Sequence, residues 1–336
     1  MIGTKNLAPH AASAGAERSV WYGGCLLTFL ATGEETGGSY TLVEEYGRKG
    51  VGAEPPMHAH TREEETFYVV EGEMKFHVGG EVVPAPAGTL VVLPRGVAHR
   101  FEIVSDEVRC LNLLTPAGFE GFFRELGEPA REAALPTPEE PPDFARIASV
   151  AAKYGIEMVE TNTEKERRMT ANEKTGPYAR GADTGSPVWF MGIRVSFLAD
   201  SEETGGRFGL MEFEARKGDE PPRHIHHRED EAFYVIEGAM TCYVGEEAYE
   251  AGPGTFVLLP RGIPHSFTVE TDAARVLVLV APGGFEEFFR GSRFSEPALS
   301  PEPPTPEGPP DVAALVAEME RYGAEAVGPP GPPRQM

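Results

Sequence analysis

The stretch PPMHAHTREEETFYVVEG, residues 55–72, decides how this chain is read. It holds His58 and His60 two apart, then Glu65, then an apolar run that closes on Gly72. Side chains alternate along a strand, so His58 and His60 fall on one face. Glu65 follows a polar bend, TREE, at the start of the next apolar strand. The stretch recurs as PPRHIHHREDEAFYVIEG, residues 221–238, with His224, His226 and Glu231 in register. Two imidazoles and a carboxylate at fixed spacing ahead of a strand form a metal-ligating pattern. Its recurrence means that the chain is built from two copies of one unit.

The repeat extends outward from that stretch. VWYGGCLLTFLATGEETGG at residues 20–38 matches VWFMGIRVSFLADSEETGG at residues 188–206. A repeat of this length marks two homologous domains, too long for a solenoid unit. Within each copy the apolar runs are short, as in TFYVVEG, EMKFHVGG, TLVVLP, HRFEIV and VRCLNLL, and Gly, Pro and acidic turns split them. Many short strands with such turns predict an all-β sandwich or barrel.

Each copy then ends in helices. FEGFFREL puts Phe119, Phe122, Phe123 and Leu126 on one helical face. Asp143 is a predicted N-cap, with Phe144, Ile147, Ala148, Ala151 and Tyr154 in a stripe that stops at Gly155. Asp311 with Val312, Leu315, Val316, Met319 and Tyr322 repeats the pattern. These stripes are expected to pack on the barrels rather than to hold a ligand. The expected organisation is a flexible arm over 1–19, a first domain over 20–160, a polar linker over 161–187 and a second domain over 188–336.

Composition narrows the function. The 336 residues are 40% hydrophobic and 25% charged, and 39 Gly with 31 Pro favour turns over long helices. A net charge of −23 repels phosphate backbones and anionic lipid, so neither nucleic acid nor a membrane is an expected partner. The N-terminus lacks a signal peptide and no apolar run reaches the ~20 residues of a membrane span, so a cytoplasmic location is expected. Cys25, Cys110 and Cys242 lie in apolar runs without a paired spacing and are expected to be buried thiols.

A third histidine, His99 in PRGVAHRF, completes the first set, and His265 completes the second. Three imidazoles and one carboxylate suit a divalent first-row metal with a position left open. His227 alternates to the other face from His226, His77 sits on a strand as a satisfied polar group, and His10 lies in the arm. Glu63, Glu64, Glu229 and Asp230 match in charge only and are expected to be solvated. If Glu65 points inward, Phe67 and Val69 do too, and Met74, Phe76, Met240 and Cys242 are expected on the neighbouring interior strand.

The spacing Gly52, His58, His60, Glu65, Gly72 resembles the first cupin signature, and Gly88, Pro94, Gly96, His99 resembles the second. Gly218, His224, His226, Glu231, Gly238 and then Gly254, Pro260, Gly262, His265 repeat both. One departure stands out: Ile103 and Val269 occupy the place where the signature usually ends in Asn. The resemblance is to bicupins, and it implies two tandem jelly-roll β-barrels with one metal in each. PAGFEGFFRELGEP and PGGFEEFFR are similar to the tail of quercetinase-type bicupins.

What the resemblance implies about activity is a metal-dependent dioxygenase acting on an aromatic, flavonol-like or polyketide-like enol or phenol. Glu65 and Glu231 would serve as ligands and as bases, with dioxygen as co-substrate. Iron, manganese, nickel, cobalt, copper and zinc all accept this donor set. A non-oxidative cyclase or isomerase and a ligand-binding bicupin without catalysis are the alternatives. A monomer or a homodimer is expected, because fused barrels can satisfy internally the interface that single cupins make as dimers.

Overall fold

Alternation sets the interior. Along Glu73–Val78 every second side chain is buried, so Met74, Phe76 and Val78 face inward and Lys75 and His77 outward. Met240, Cys242 and Val244 do the same along Met240–Val244. A strand with one apolar face must bury it against a second layer, and each half of this chain supplies that layer as a second sheet. The computed structural model describes residues 7–50, 54–137, 143–159, 176–304 and 311–333. Residues 14–181 form one unit, and residues 1–13 with 182–336 form the other.

In the first unit an eight-stranded sheet runs Glu128–Pro129, Ser19–Tyr22, Cys25–Ala31, Thr41–Arg48, Glu107–Thr115, Glu64–Glu71, Thr89–Leu93, Tyr178–Gly181. A five-stranded sheet runs Ile156–Met158, His58–His60, His99–Ile103, Glu73–Val78, Glu81–Pro86. Phe67 and Val69 of the larger sheet cluster with Met74 and Phe76 of the smaller, so the two inner faces make one sandwich. The second unit repeats this order strand for strand, with Arg223–His226 and His265–Val269 adjacent in its five-stranded sheet. The fold is therefore all-β and of the jelly-roll kind, two antiparallel sheets per unit.

The helices follow their caps. Asp143 accepts from the backbone N–H groups of Ala145 and Arg146, starting the helix Phe144–Lys153, and Asp311 accepts from that of Ala314 ahead of Val312–Tyr322. Gly155 and Gly323 take positive φ (82° and 87°) just past the helix ends. Val150, Ala151, Leu315 and Met319 face the core. Ala148 and Val312, expected in the stripes, are exposed, because the buried face is narrower than the apolar pattern. After each helix the chain adds a strand, Ile156–Met158 or Ala324–Gly328, along the histidine strand of its own unit. None of the described helices is long and apolar enough to cross a membrane.

Two segments differ from expectation. Within the arm, His10–Ala12 is a strand paired with Phe256, Val257 and Leu258 of the second unit. Within the linker, Tyr178–Gly181 is a strand paired with Thr89–Val92 of the first. Both cover a sheet edge whose backbone groups would otherwise lack partners. Main-chain pairing needs no apolar alternation, so neither segment shows a strand pattern. Linker residues 161–175, the signature glycine Gly52 and the outermost arm residues 1–6 lie outside the described residues.

Gly72 and Gly238 end the strand after each acidic ligand position. Both take positive φ (85° and 78°), and a Cβ there would sit 2.5 Å from Glu107 O and 2.3 Å from Ala273 O. Left-handed backbone costs a non-glycine residue about 1–3 kcal/mol, and the clash adds to it. Gly72→Ala should lower the urea-unfolding free energy by at least about 2 kcal/mol, and an unchanged midpoint would contradict the geometry.

Candidate metal centres

Each site is assembled across the two sheets of one unit. His58 and His60 lie on one short strand, and His99 is the register partner of His58 on the neighbouring strand. Glu65 comes from the larger sheet, where it pairs with Leu93 and Leu114. In the second unit His224 pairs with His265, and Glu231 pairs with Leu259 and Val280. One ligand atom from each of His58, His60, Glu65 and His99 lies within 4.8 Å of the others, and the same holds for His224, His226, Glu231 and His265. All eight side chains are buried.

The backbone fixes how the rings present themselves. Nδ1 of His58 lies 2.9 Å from Pro56 O, Nδ1 of His99 2.8 Å from Val97 O, Nδ1 of His224 2.9 Å from Pro222 O, and Nδ1 of His265 2.9 Å from Ile263 O. A carbonyl only accepts, so each Nδ1 carries the proton and donates it. Burial pushes His58 down to about 3 and His265 to about 4, and holds His224 well below the usual imidazole range. His58, His224 and His265 are therefore neutral at pH 7, and all four rings held at Nδ1 turn Nε2 into the site. Nδ1 of His226 donates to Glu229 Oε1 at 2.6 Å, which orients that ring in the same way.

Acceptors consequently face acceptors. His224 Nε2 and His226 Nε2 are 3.1 Å apart, and His99 Nε2 is 3.0 Å from Glu65 Oε2. Glu231 Oε2 and His265 Nε2 are buried without a hydrogen-bond partner. A buried acceptor without a donor is costly, and four of them converging is the donor set of a divalent transition metal. Each unit therefore has a metal-binding site whose residues fit a single ion. Among the described residues no thiol joins either group, and burial pushes Cys25, Cys110 and Cys242 well above the ordinary thiol range.

Aromatic edges close the sites. Phe119 meets His60 edge-on at 4.6 Å, and Phe285 meets His226 at 4.3 Å. Each Phe directly precedes a short helix held by a buried glutamate. Glu120 accepts from the N–H groups of Gly33 and Gly118 and from Thr41, and Glu286 accepts from those of Ser201 and Gly284. Phe67, Val69, Met74, Phe76, Met240 and Cys242 are packed core, as are Ile103 and Val269 at the variant signature position.

Several residues take other places than the sequence suggested. Glu63, Glu64, Glu229 and Asp230 are buried rather than solvated. Glu229 holds His226, Glu63 Oε2 lies 3.6 Å from His60 Nδ1, and Asp230 pairs with Arg261 at 2.6 Å. The signal was there: an acidic residue three positions after the second histidine of each pair, repeated in both copies. His227 faces out and pairs with Glu325, and His77 bonds to Glu102 and Arg100, both apart from the centres. The sequence pattern does not single out Glu45 and Asn112. Asn112 Nδ2 donates to Glu65 Oε1 at 2.8 Å and to Glu45 Oε1 at 2.9 Å. No sequence signal marks this pair, because the second copy lacks it.

Comparison with known proteins agrees with this geometry. Residues 50–114 and 211–281 each match the cupin domain. The chain is 25% identical over 292 residues to a quercetin 2,3-dioxygenase of Bacillus subtilis (strain 168), a span of 85% of this chain and 86% of the relative. Its fold is similar to that of oxalate decarboxylase from Bacillus subtilis, with a TM-score of 0.55, 15% identity and coverage of 84% of this chain and 78% of that one. It is also similar to a vicilin from Corylus avellana (hazelnut), with a TM-score of 0.53, 13% identity and coverage of 81% and 85%. The chain therefore carries two matches to the cupin domain, one in each unit.

Burial pushes Glu45 up to about 7; the Asn112 hydrogen bond offsets part of this and the Glu65 charge adds to it. A carboxyl raised in the folded state is a cost that appears as pH climbs past its unfolded value, near 4.5, and is complete once pH passes about 7. Its full size is on the order of 3 kcal/mol. Glu45→Gln should therefore lose less stability than the parent between pH 5 and pH 8 in chemical denaturation. Parallel pH profiles for the two proteins would show that Glu45 is not held protonated.

Proposed function

We propose that this bicupin is a metal-dependent dioxygenase acting on an aromatic, flavonol-like or polyketide-like enol or phenol. The observation that carries this reading is the likeness to a quercetin 2,3-dioxygenase across both domains, in a chain that keeps three histidines and a glutamate in each. His58, His60, Glu65 and His99 hold one metal, and His224, His226, Glu231 and His265 hold the other. A bound metal would supply a Lewis acid for the substrate oxygen and a template that orients the reactants.

The protein's own groups do the rest. Glu65 or Glu231 takes the proton of the substrate hydroxyl, a base placed at the ligand position itself. The neutral imidazoles of His58, His224, His226 and His265 present lone pairs rather than charge, which favours a metal over bound protons. Phe119 and Phe285 present apolar edges beside the histidines and exclude water. The slight exposure of the centres is greatest at His58 and His224, at 7% and 8%, which places the solvent side of each site there.

Oxygen-electrode assays of the metal-loaded protein with flavonols and related phenols should show substrate-dependent oxygen uptake. Turnover without uptake would assign a non-oxidative cyclase or isomerase, and the absence of any turnover a ligand-binding role. His58→Ala should empty the first centre and leave the second filled, so that elemental analysis finds about one metal fewer per chain. Unchanged metal content would overturn the ligand assignment.

A further inference from the structure

The two centres have the same four donors, but what stands behind their carboxylates differs. In the first unit Asn112 donates one N–H to Glu65 Oε1 and the other to Glu45 Oε1, at 2.8 and 2.9 Å. Asn112 is 1% exposed, so this bond is sheltered from competing water. Register identifies the counterparts in the second unit. Asn112 pairs with Val43 and Phe67, and Val278 pairs with Met211 and Phe233. Glu45 pairs with Cys110, and Phe213 pairs with Val276. Where the first unit has an amide and an acid, the second has Val278 and Phe213.

The consequences show in the packing. The second unit's interior is one continuous apolar cluster that includes Phe213, Phe233 and Val278. Those three also line a small apolar cavity. The first unit's interior is divided into separate clusters, one with Val43 and another with Phe67 and Cys110, and Asn112 stands in register between Val43 and Phe67. Glu65 Oε1 accepts from Asn112, and Glu65 Oε2 faces the bare Nε2 of His99. Glu231 Oε2 faces His265 Nε2 in the same way, at 3.2 Å, but Val278 at the register position of Asn112 has no N–H to offer the other oxygen.

We propose that Asn112, backed by Glu45, is a positioning residue that locks Glu65 in the ligating orientation, and that the two centres of this chain hold metal unequally as a result. A carboxylate leaves a metal by rotating about its side-chain bonds. In the first unit that rotation breaks a buried, charge-assisted hydrogen bond; in the second Val278 supplies no such bond. Partners of this kind typically change metal affinity by about 10–100-fold when removed. The first centre keeps its metal, and the second exchanges it.

This rests on the assignment of both donor sets as metal sites, which elemental analysis of the parent tests separately and without turnover. The decisive experiment is a chelator chase of the metal-loaded full chain, reading metal released against time. The parent should release metal in two phases separated by about 10-fold or more. His224→Ala should leave only the slow phase, and His58→Ala only the fast one. Asn112→Val should turn the slow phase fast and leave the other unchanged. A single release rate in the parent, a slow phase that disappears in His224→Ala, or a slow phase that survives Asn112→Val would each overturn the proposal. Should Asn112→Val fail to fold, the two histidine variants decide the assignment without it.

Discussion

The structure depends on a set of buried acceptors that point at one another. Three imidazoles and a carboxylate from the opposite sheet converge in each unit, and backbone carbonyls or a glutamate take the Nδ1–H of five of the six rings, so that Nε2 is the nitrogen turned inward. Such a cluster is unfavourable by itself, because each lone pair has lost water and gained no donor. One cation resolves all four deficits at once. The surrounding sandwich is what holds the cluster together until then: its two sheets bring the histidine strands and the glutamate strand face to face, and the apolar interior beneath them fixes the spacing.

The devices that serve this cluster are paired across the units. A short helix is tied down by a buried glutamate, Glu120 or Glu286, so that Phe119 or Phe285 meets the second histidine edge-on. A longer helix with an aspartate cap returns a strand along the histidine strand. Where pairing fails, the chemistry differs. Asn112 and Glu45 have apolar counterparts, so one unit places polar groups behind its carboxylate and the other a hydrophobic wall. Duplication preserved the ligands and let their support diverge.

Legibility followed locality. The ligands could be read because a strand alternates and because a motif repeated in register is hard to mistake. The caps at Asp143 and Asp311 and the glycines at 155 and 323 were readable for the same reason, since each acts within one turn of the helix it ends. The strands His10–Ala12 and Tyr178–Gly181 were not, since an edge strand held by backbone hydrogen bonds asks little of its side chains. Glu63, Glu64, Glu229 and Asp230 misled because charge predicts exposure, and burial of a charge is licensed only by partners elsewhere in the chain, such as Arg261 for Asp230.

The sequence by itself determined the stretch around His58 and its copy around His224: two domains, all-β, with two histidines and a glutamate in each awaiting a third histidine and a metal. Only the tertiary structure decided that His10–Ala12 and Tyr178–Gly181 become strands, that the acidic neighbours turn inward, and that Asn112 and Glu45 stand behind Glu65 while Val278 and Phe213 take their register positions in the second unit. The reason is physical. Ligand spacing and capping are properties of a few consecutive residues, whereas a hydrogen bond between Asn112 and Glu65 exists only once two strands lie side by side.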